Sequence, residues 1–189
     1  MKIVVAITGA SGAIYGIKLV EELKKRKFKI YLIVSENAKK IVEHETKYKV
    51  EDVIKIADEF YEENDMESKL ASGSFIYNAM VVCPCSIKTM ACIANGITIN
   101  LITRTAICCL KENRKLIVVP RETPLDLATL ENMVKLKRMG VIVLPAMPAF
   151  YFMPKKIDDF INYIVGKILE QLGIQHNLYK KWEINQKSF

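Results

Sequence analysis

A chain of 189 residues, 51% of them apolar, can bury one sizeable core and is too short for two ordinary domains. Its apolar runs, such as residues 79–83 and 141–144, are strand-sized, so no membrane span of roughly 20 apolar residues is expected. The net charge of +7 gathers at Lys24, Lys25, Arg26, Lys27 and Lys29 and at Lys180 and Lys181. Without an aromatic-interleaved basic stripe it reads as solvated surface, and no nucleic-acid partner is expected.

In chain order, residues 2–8 form a β-branched strand that ends in glycine and leads to an amphipathic helix over 13–26. A strand at 29–34 and a helix at 36–48 follow. The acidic stretch 58–67 reads as an exposed loop or short helix. Then come a strand at 79–83, helices at 86–94 and 103–111, a strand at 115–119, a helix at 125–139, a strand at 141–144 and a helix at 157–172. Strands apolar on both faces and separated by helices imply a parallel sheet covered on both sides. The expected fold is a doubly wound α/β sandwich of three layers, Rossmann-like or flavodoxin-like. Residues 1–189 read as one domain, with a C-terminal helix and tail from about residue 157.

The N-terminal apolar stretch runs straight into a turn and lacks the length and cleavage site of a signal peptide, so the cytoplasm is the expected location. Five cysteines (Cys83, Cys85, Cys92, Cys108, Cys109) are a poor disulfide framework and read as thiols. With only His44 and His176 beside them, no metal site is expected.

In doubly wound sheets the ligand lies beyond the carboxyl ends of the strands. Gly9-Ala10-Ser11-Gly12 stands between a strand and a helix, where backbone N–H groups, the helix dipole and the Ser11 hydroxyl favour a phosphate. A tight turn without a ligand is the alternative. Ser35 suits a helix cap, a ligand contact or both. Glu36 keeps a ribose-binding acid, and so a dinucleotide, in view. Ser86-Ile87-Lys88-Thr89 opens a second helix at the same edge, and Arg121-Glu122 follows another strand with a fixed cation beside a carboxylate. Tyr151 follows two prolines at the last strand end.

Taken together, residues 7–16 (ITGASGAIYG), 84–89 (PCSIKT), 121–125 (RETPL) and 148–151 (PAFY) resemble the flavin prenyltransferases of the UbiX type. Ser72-Gly73-Ser74-Phe75, Leu101-Ile102-Thr103-Arg104 and Trp182 extend the likeness over nearly the whole chain. The resemblance implies an enzyme that joins a dimethylallyl group from dimethylallyl phosphate to N5 and then C6 of reduced FMN, making a prenylated flavin for UbiD-type decarboxylases. It implies FMN held by Gly9, Ala10, Ser11, Ser35, Ser86, Ile87, Lys88, Thr89 and Arg121. Tyr151 and Lys167 would meet the prenyl phosphate, with Arg104 and Lys111 as further phosphate contacts across a subunit boundary. A homo-oligomer is implied, a dodecamer among the candidates.

The chemistry needs electrostatic support for a departing phosphate, which Arg and Lys supply without magnesium. It also needs proton movement, for which Glu122 and Glu45 are acid/base candidates and Ser11 a positioning hydroxyl. Many members carry arginine where this chain has Lys167, and lysine keeps the charge but loses the planar bidentate grip.

Three rivals compete with this reading. A flavin-dependent cysteine decarboxylase would need a catalytic histidine, for which His44 is the candidate. A short-chain dehydrogenase is suggested by Thr8-Gly9-Ala10-Ser11-Gly12 and Tyr163-x-x-x-Lys167, but lacks its serine about a dozen residues earlier. A flavin carrier for a decarboxylase would keep the FMN groups without needing Glu122.

Overall fold

The computed structural model describes residues 1–182, so the last part of the expected tail lies outside the described residues. The chain divides into two compact units, Met1–Ala146 and Met147–Phe189.

The first unit is built on six parallel strands: β1 (Lys2–Ile7), β2 (Lys29–Val34), β3 (Glu59–Glu62), β4 (Ala79–Cys85), β5 (Lys115–Pro120) and β6 (Ile142–Val143). Their order across the sheet is β3-β2-β1-β4-β5-β6. The chain winds outward from β1 on one side, then returns to β4 and winds outward on the other. The β1/β4 boundary is therefore the switch point where such sheets open a crevice. The helices are α1 (Ala13–Lys25), α2 (Glu36–Glu45), α3 (Val50–Ile56), α4 (Ile87–Ala94), α5 (Leu101–Lys111) and α6 (Leu127–Arg138).

β1, β2, β4 and β5 are buried on both faces because helices cover both. Val4, Ala6, Tyr31, Ile33, Met80, Val82, Leu116 and Val118 share one core cluster with Met90 and Ile93 of α4, Leu101, Ile102 and Ala106 of α5, and Leu136 of α6. The alternate residues of β1, Ile3, Val5 and Ile7, are equally excluded from water. Each fully buried aliphatic side chain contributes about 1.5–3 kcal/mol. Gly16 lets α1 lie against the sheet, since a Cβ there would collide with the Cys83 carbonyl and the Ile7 side chain.

The stretch 58–67 is not simply a loop or short helix, because Glu59–Glu62 is the edge strand β3, in register with Tyr31–Val34. Its charges protect the sheet edge from further pairing. Glu59 binds Lys69 at 2.7 Å and Lys29 at 3.2 Å, and hydrogen bonds from Lys69 and Tyr61 hold its carboxyl down at about 2. The helix α3 was also not expected from the sequence.

In the second unit α7 (Ile157–Gln171) buries Ile161, Ile164, Val165, Ile168 and Leu169. Asp159 accepts from the Lys155 and Lys156 amides at its start. Among the described residues no helix is long and apolar enough to cross a membrane.

Candidate active site

The glycine turn after β1 owes its shape to Gly12, which caps α1 with φ of +95°, a left-handed conformation that strains any residue with a Cβ. No side chain caps α1. Instead, the Gly12 amide donates to Glu45 Oε2 at 2.7 Å. The last residue of α2 is thus brought to the turn that also carries Ser11. Gly9 faces α2 so closely that a Cβ would stand 2.7 Å from Asn37 Cβ.

Across the switch point, Thr8 joins β1 to the start of α4. Its hydroxyl donates to the Pro84 carbonyl at 2.8 Å and accepts from the Ser86 amide at 2.7 Å. Ser86 then caps α4, accepting from the Thr89 amide at 3.3 Å and donating to the Thr89 hydroxyl at 3.0 Å. On the other flank Ser35 caps α2 by accepting from the Ala38 amide at 3.2 Å. These turns line one cavity of about 280 Å³, bounded by Gly9, Ser35, Asn37, Glu63, Ser86, Ile87, Lys88, Thr89 and Asn100. The N-termini of α2, α4 and α5 thus meet at one place, with the hydroxyls of Ser35, Ser86 and Thr89 and the Lys88 cation lining it, which suits an anionic, hydroxyl-bearing ligand.

Sequence reasoning missed Thr8, Asn37, Glu63 and Asn100. Asn100 was visible in principle, since Asn-x-x-Thr ahead of an apolar helix is a capping signature, and Asn100 and Thr103 do form a reciprocal capping box. Glu63 carries no local signal. It lies just after the unexpected strand β3, and only the sheet order brings it to the cavity.

Arg121 follows β5, and its buried Nε finds no protein partner. A buried guanidinium nitrogen without a protein partner is uncommon in folded proteins and marks Arg121 as a candidate ligand donor. Tyr15 is close enough to feel its charge. Burial pushes the Tyr15 phenol up, Cys83 adds to this and Arg121 opposes it. Glu122 is exposed and accepts from the Thr123 amide at 3.0 Å.

Arg104 and Lys111 lie elsewhere. Arg104 Nε donates to the Ala71 carbonyl at 2.9 Å, and Lys111, paired with Glu112 at 3.2 Å, ends α5 about 15 Å along the helix from Asn100. A Cβ on Gly73 would sit 2.9 Å from Lys111 Nζ. The two cations therefore accompany the 71–75 segment rather than the cavity of their own chain. Glu36, the candidate ribose ligand, is exposed and pairs with Lys39 at 2.7 Å. His44 is also exposed and lines no part of the cavity.

In the second unit Tyr151 packs edge-on to Trp182 at 5.5 Å, Phe152 at 5.7 Å and Tyr163 at 6.1 Å between ring centres. Lys167 Nζ binds Glu170 Oε2 at 2.6 Å, and Tyr179 donates to Glu170 Oε1 at 2.8 Å. Burial alone would raise the Glu170 carboxyl, but Lys167 and Tyr179 hold it at about 2. Tyr151 and Lys167 thus sit among aromatic rings and a carboxylate.

A family model described as Flavoprotein matches residues 1–169. The flavin prenyltransferase UbiX of Methanocaldococcus jannaschii is 50% identical over 182 residues, covering 96% of this chain and 98% of that protein. The chain belongs to the UbiX family of flavoproteins. Two solved structures share its architecture with a TM-score of 0.95. One, from Escherichia coli O157:H7, is described as a dodecameric FMN-dependent UbiX-like decarboxylase; it is 42% identical, with 97% of this chain and 100% of that chain covered. The other is AnUbiX (PadA1) in complex with FMN and dimethylallyl pyrophosphate, 40% identical, with 96% and 97% covered. The UbiX family fold and the switch-point cavity thus coincide in this chain.

Proposed function

We propose that this chain is a metal-independent flavin prenyltransferase that moves a dimethylallyl group from dimethylallyl phosphate to N5 and C6 of reduced FMN. The observation that carries the reading is the meeting of capped helix N-termini and the glycine turn at one polar cavity, with the open Nε of Arg121 in the same unit. Membership of a family with a relative solved with both FMN and a dimethylallyl ester supports it.

Gly9, Ala10, Ser11, Ser35, Ser86, Ile87, Lys88, Thr89 and Arg121 hold FMN, which when bound and reduced supplies the nucleophilic nitrogen and carbon. Helix amides and hydroxyls fix its phosphorylated end, and Arg121 offers a planar donor. The allylic C–O bond breaks with its electron pair leaving on the phosphate. Lys167, with Arg104 and Lys111 supplied from a neighbouring copy, balances that charge. Glu122 takes or returns the proton at the flavin, Glu45 is a second acid/base group already fixed on the Gly12 amide, and Ser11 orients the acceptor. Tyr151 shelters the positive allylic carbon by cation–π attraction.

The protein acts as a homo-oligomer, a dodecamer by analogy with the Escherichia coli relative, works in the cytoplasm as one functional domain, and passes its product to a UbiD-type decarboxylase. Anaerobic turnover with Glu122→Gln tests the assignment, since that variant should retain FMN and lose prenylation.

A further inference from the structure

Glu63 performs two jobs at the end of the cavity. Its Oε1 accepts from the Glu36 amide, the first of α2, at 2.8 Å, and its Oε2 accepts from Asn100 Nδ2 at 2.6 Å. Its backbone carbonyl accepts from the Leu101 amide at 2.7 Å. The loop after the edge strand β3 is thereby pinned to the start of α5, which comes from the other half of the sheet. All three of Glu63, Asn37 and Asn100 line the cavity beside Gly9, Ser35 and Ser86.

A dinucleotide bound at a switch point lays its second nucleotide over β2, where an acidic residue takes the ribose diol and the pyrophosphate uses helix amides. In this chain the corresponding places are taken. Glu36 is exposed and pairs with Lys39, and the first amide of α2 is already bound to the Glu63 carboxylate and so closed to a phosphate. A second phosphate would also meet the negative charge of Glu63 at close range, where a buried or partly buried site strengthens repulsion.

We propose that the Glu63–Asn100 clasp is the specificity-determining element that restricts the site to a flavin mononucleotide and rejects the dinucleotide FAD. The proposal rests on the reading of the cavity as the FMN site. A clasp that merely held the loop would affect both flavins equally; one that excludes the second nucleotide alters their ratio.

The test is titration of the full-length protein with FMN and with FAD, followed by flavin fluorescence, for the wild type, Glu63→Ala and Glu63→Gln. The wild type should bind FMN far more tightly than FAD. Glu63→Ala, which removes the charge and opens the α2 amide, should narrow that ratio at least about tenfold. Glu63→Gln keeps the size and one hydrogen bond and should narrow it less, and it decides the question if the alanine variant does not fold. An unchanged ratio, or a wild type that binds FAD as well as FMN, overturns the clasp and leaves the FMN reading standing. A wild type that binds neither flavin overturns both.

Discussion

The hydroxyl of Thr8 accepts the amide proton of Ser86 at 2.7 Å while donating to the Pro84 carbonyl at 2.8 Å. One side chain at the end of β1 thus sets the start of α4, and with it the relation between the glycine turn and the hydroxyls of Ser86 and Thr89. Thr8 is only 1% exposed. Replacing it with valine keeps the shape but leaves the Ser86 amide and Pro84 carbonyl without this partner, at a cost of about 1–3 kcal/mol. Thr8→Val should lower the denaturant midpoint and weaken FMN binding together, whereas Thr8→Ser should restore both. Equilibrium unfolding and an FMN titration on the two variants check this.

Glu122→Gln preserves size and removes the carboxylate to which the acid/base role is proposed. FMN affinity should change little, while the prenylation rate falls by about 10²–10⁴-fold. Single-turnover measurement with reduced FMN separates this outcome from a binding defect. An undiminished rate would move the role to Glu45.

Lys167 shares its charge with Glu170 at 2.6 Å, so under the proposed role of Lys167 a prenyl phosphate shares its ammonium with a carboxylate. Glu170→Gln should lower the KM for dimethylallyl phosphate, and Lys167→Ala should raise it, both with FMN affinity retained. Lys167→Arg should tighten the hold on phosphate, because the planar guanidinium can grip the ester with two parallel N–H groups. Initial rates against ester concentration at saturating FMN distinguish the three.

Glu59 has its carboxyl held down from 4.5 to about 2 by Lys69 and Tyr61. A depressed carboxyl adds stability that is complete above the unfolded value and lost as pH falls through the folded one. Stability should therefore decline between about pH 4.5 and about pH 2, and Glu59→Gln should flatten part of that decline. Thermal unfolding across the range checks the difference between the two proteins.

The order of strands and helices was legible because β1, β2, β4 and β5 are covered on both faces and so read as unbroken apolar runs. β3 was not, since an edge strand needs only one partner and Glu59–Glu62 spends its ends on charge. The loss of β3 concealed Glu63, whose meaning depends on which strand it follows. Gly12, Ser35 and Ser86 were legible because turn and capping chemistry is local in sequence. Glu45 entered as an acid/base candidate, but its contact with the Gly12 amide spans 33 positions, which no spacing reveals. Arg104 and Lys111 do not line the cavity of their own chain, because Arg104 Nε is taken by the Ala71 carbonyl and Lys111 stands at the far end of α5.

Prenyl transfer to flavin is best tested by anaerobic incubation of the purified protein with reduced FMN and dimethylallyl phosphate, followed by mass spectrometry of the released flavin. The expected product is a flavin heavier by one five-carbon prenyl unit, formed without added metal. A flavin that binds but keeps its mass with both the monophosphate and the pyrophosphate ester would contradict it.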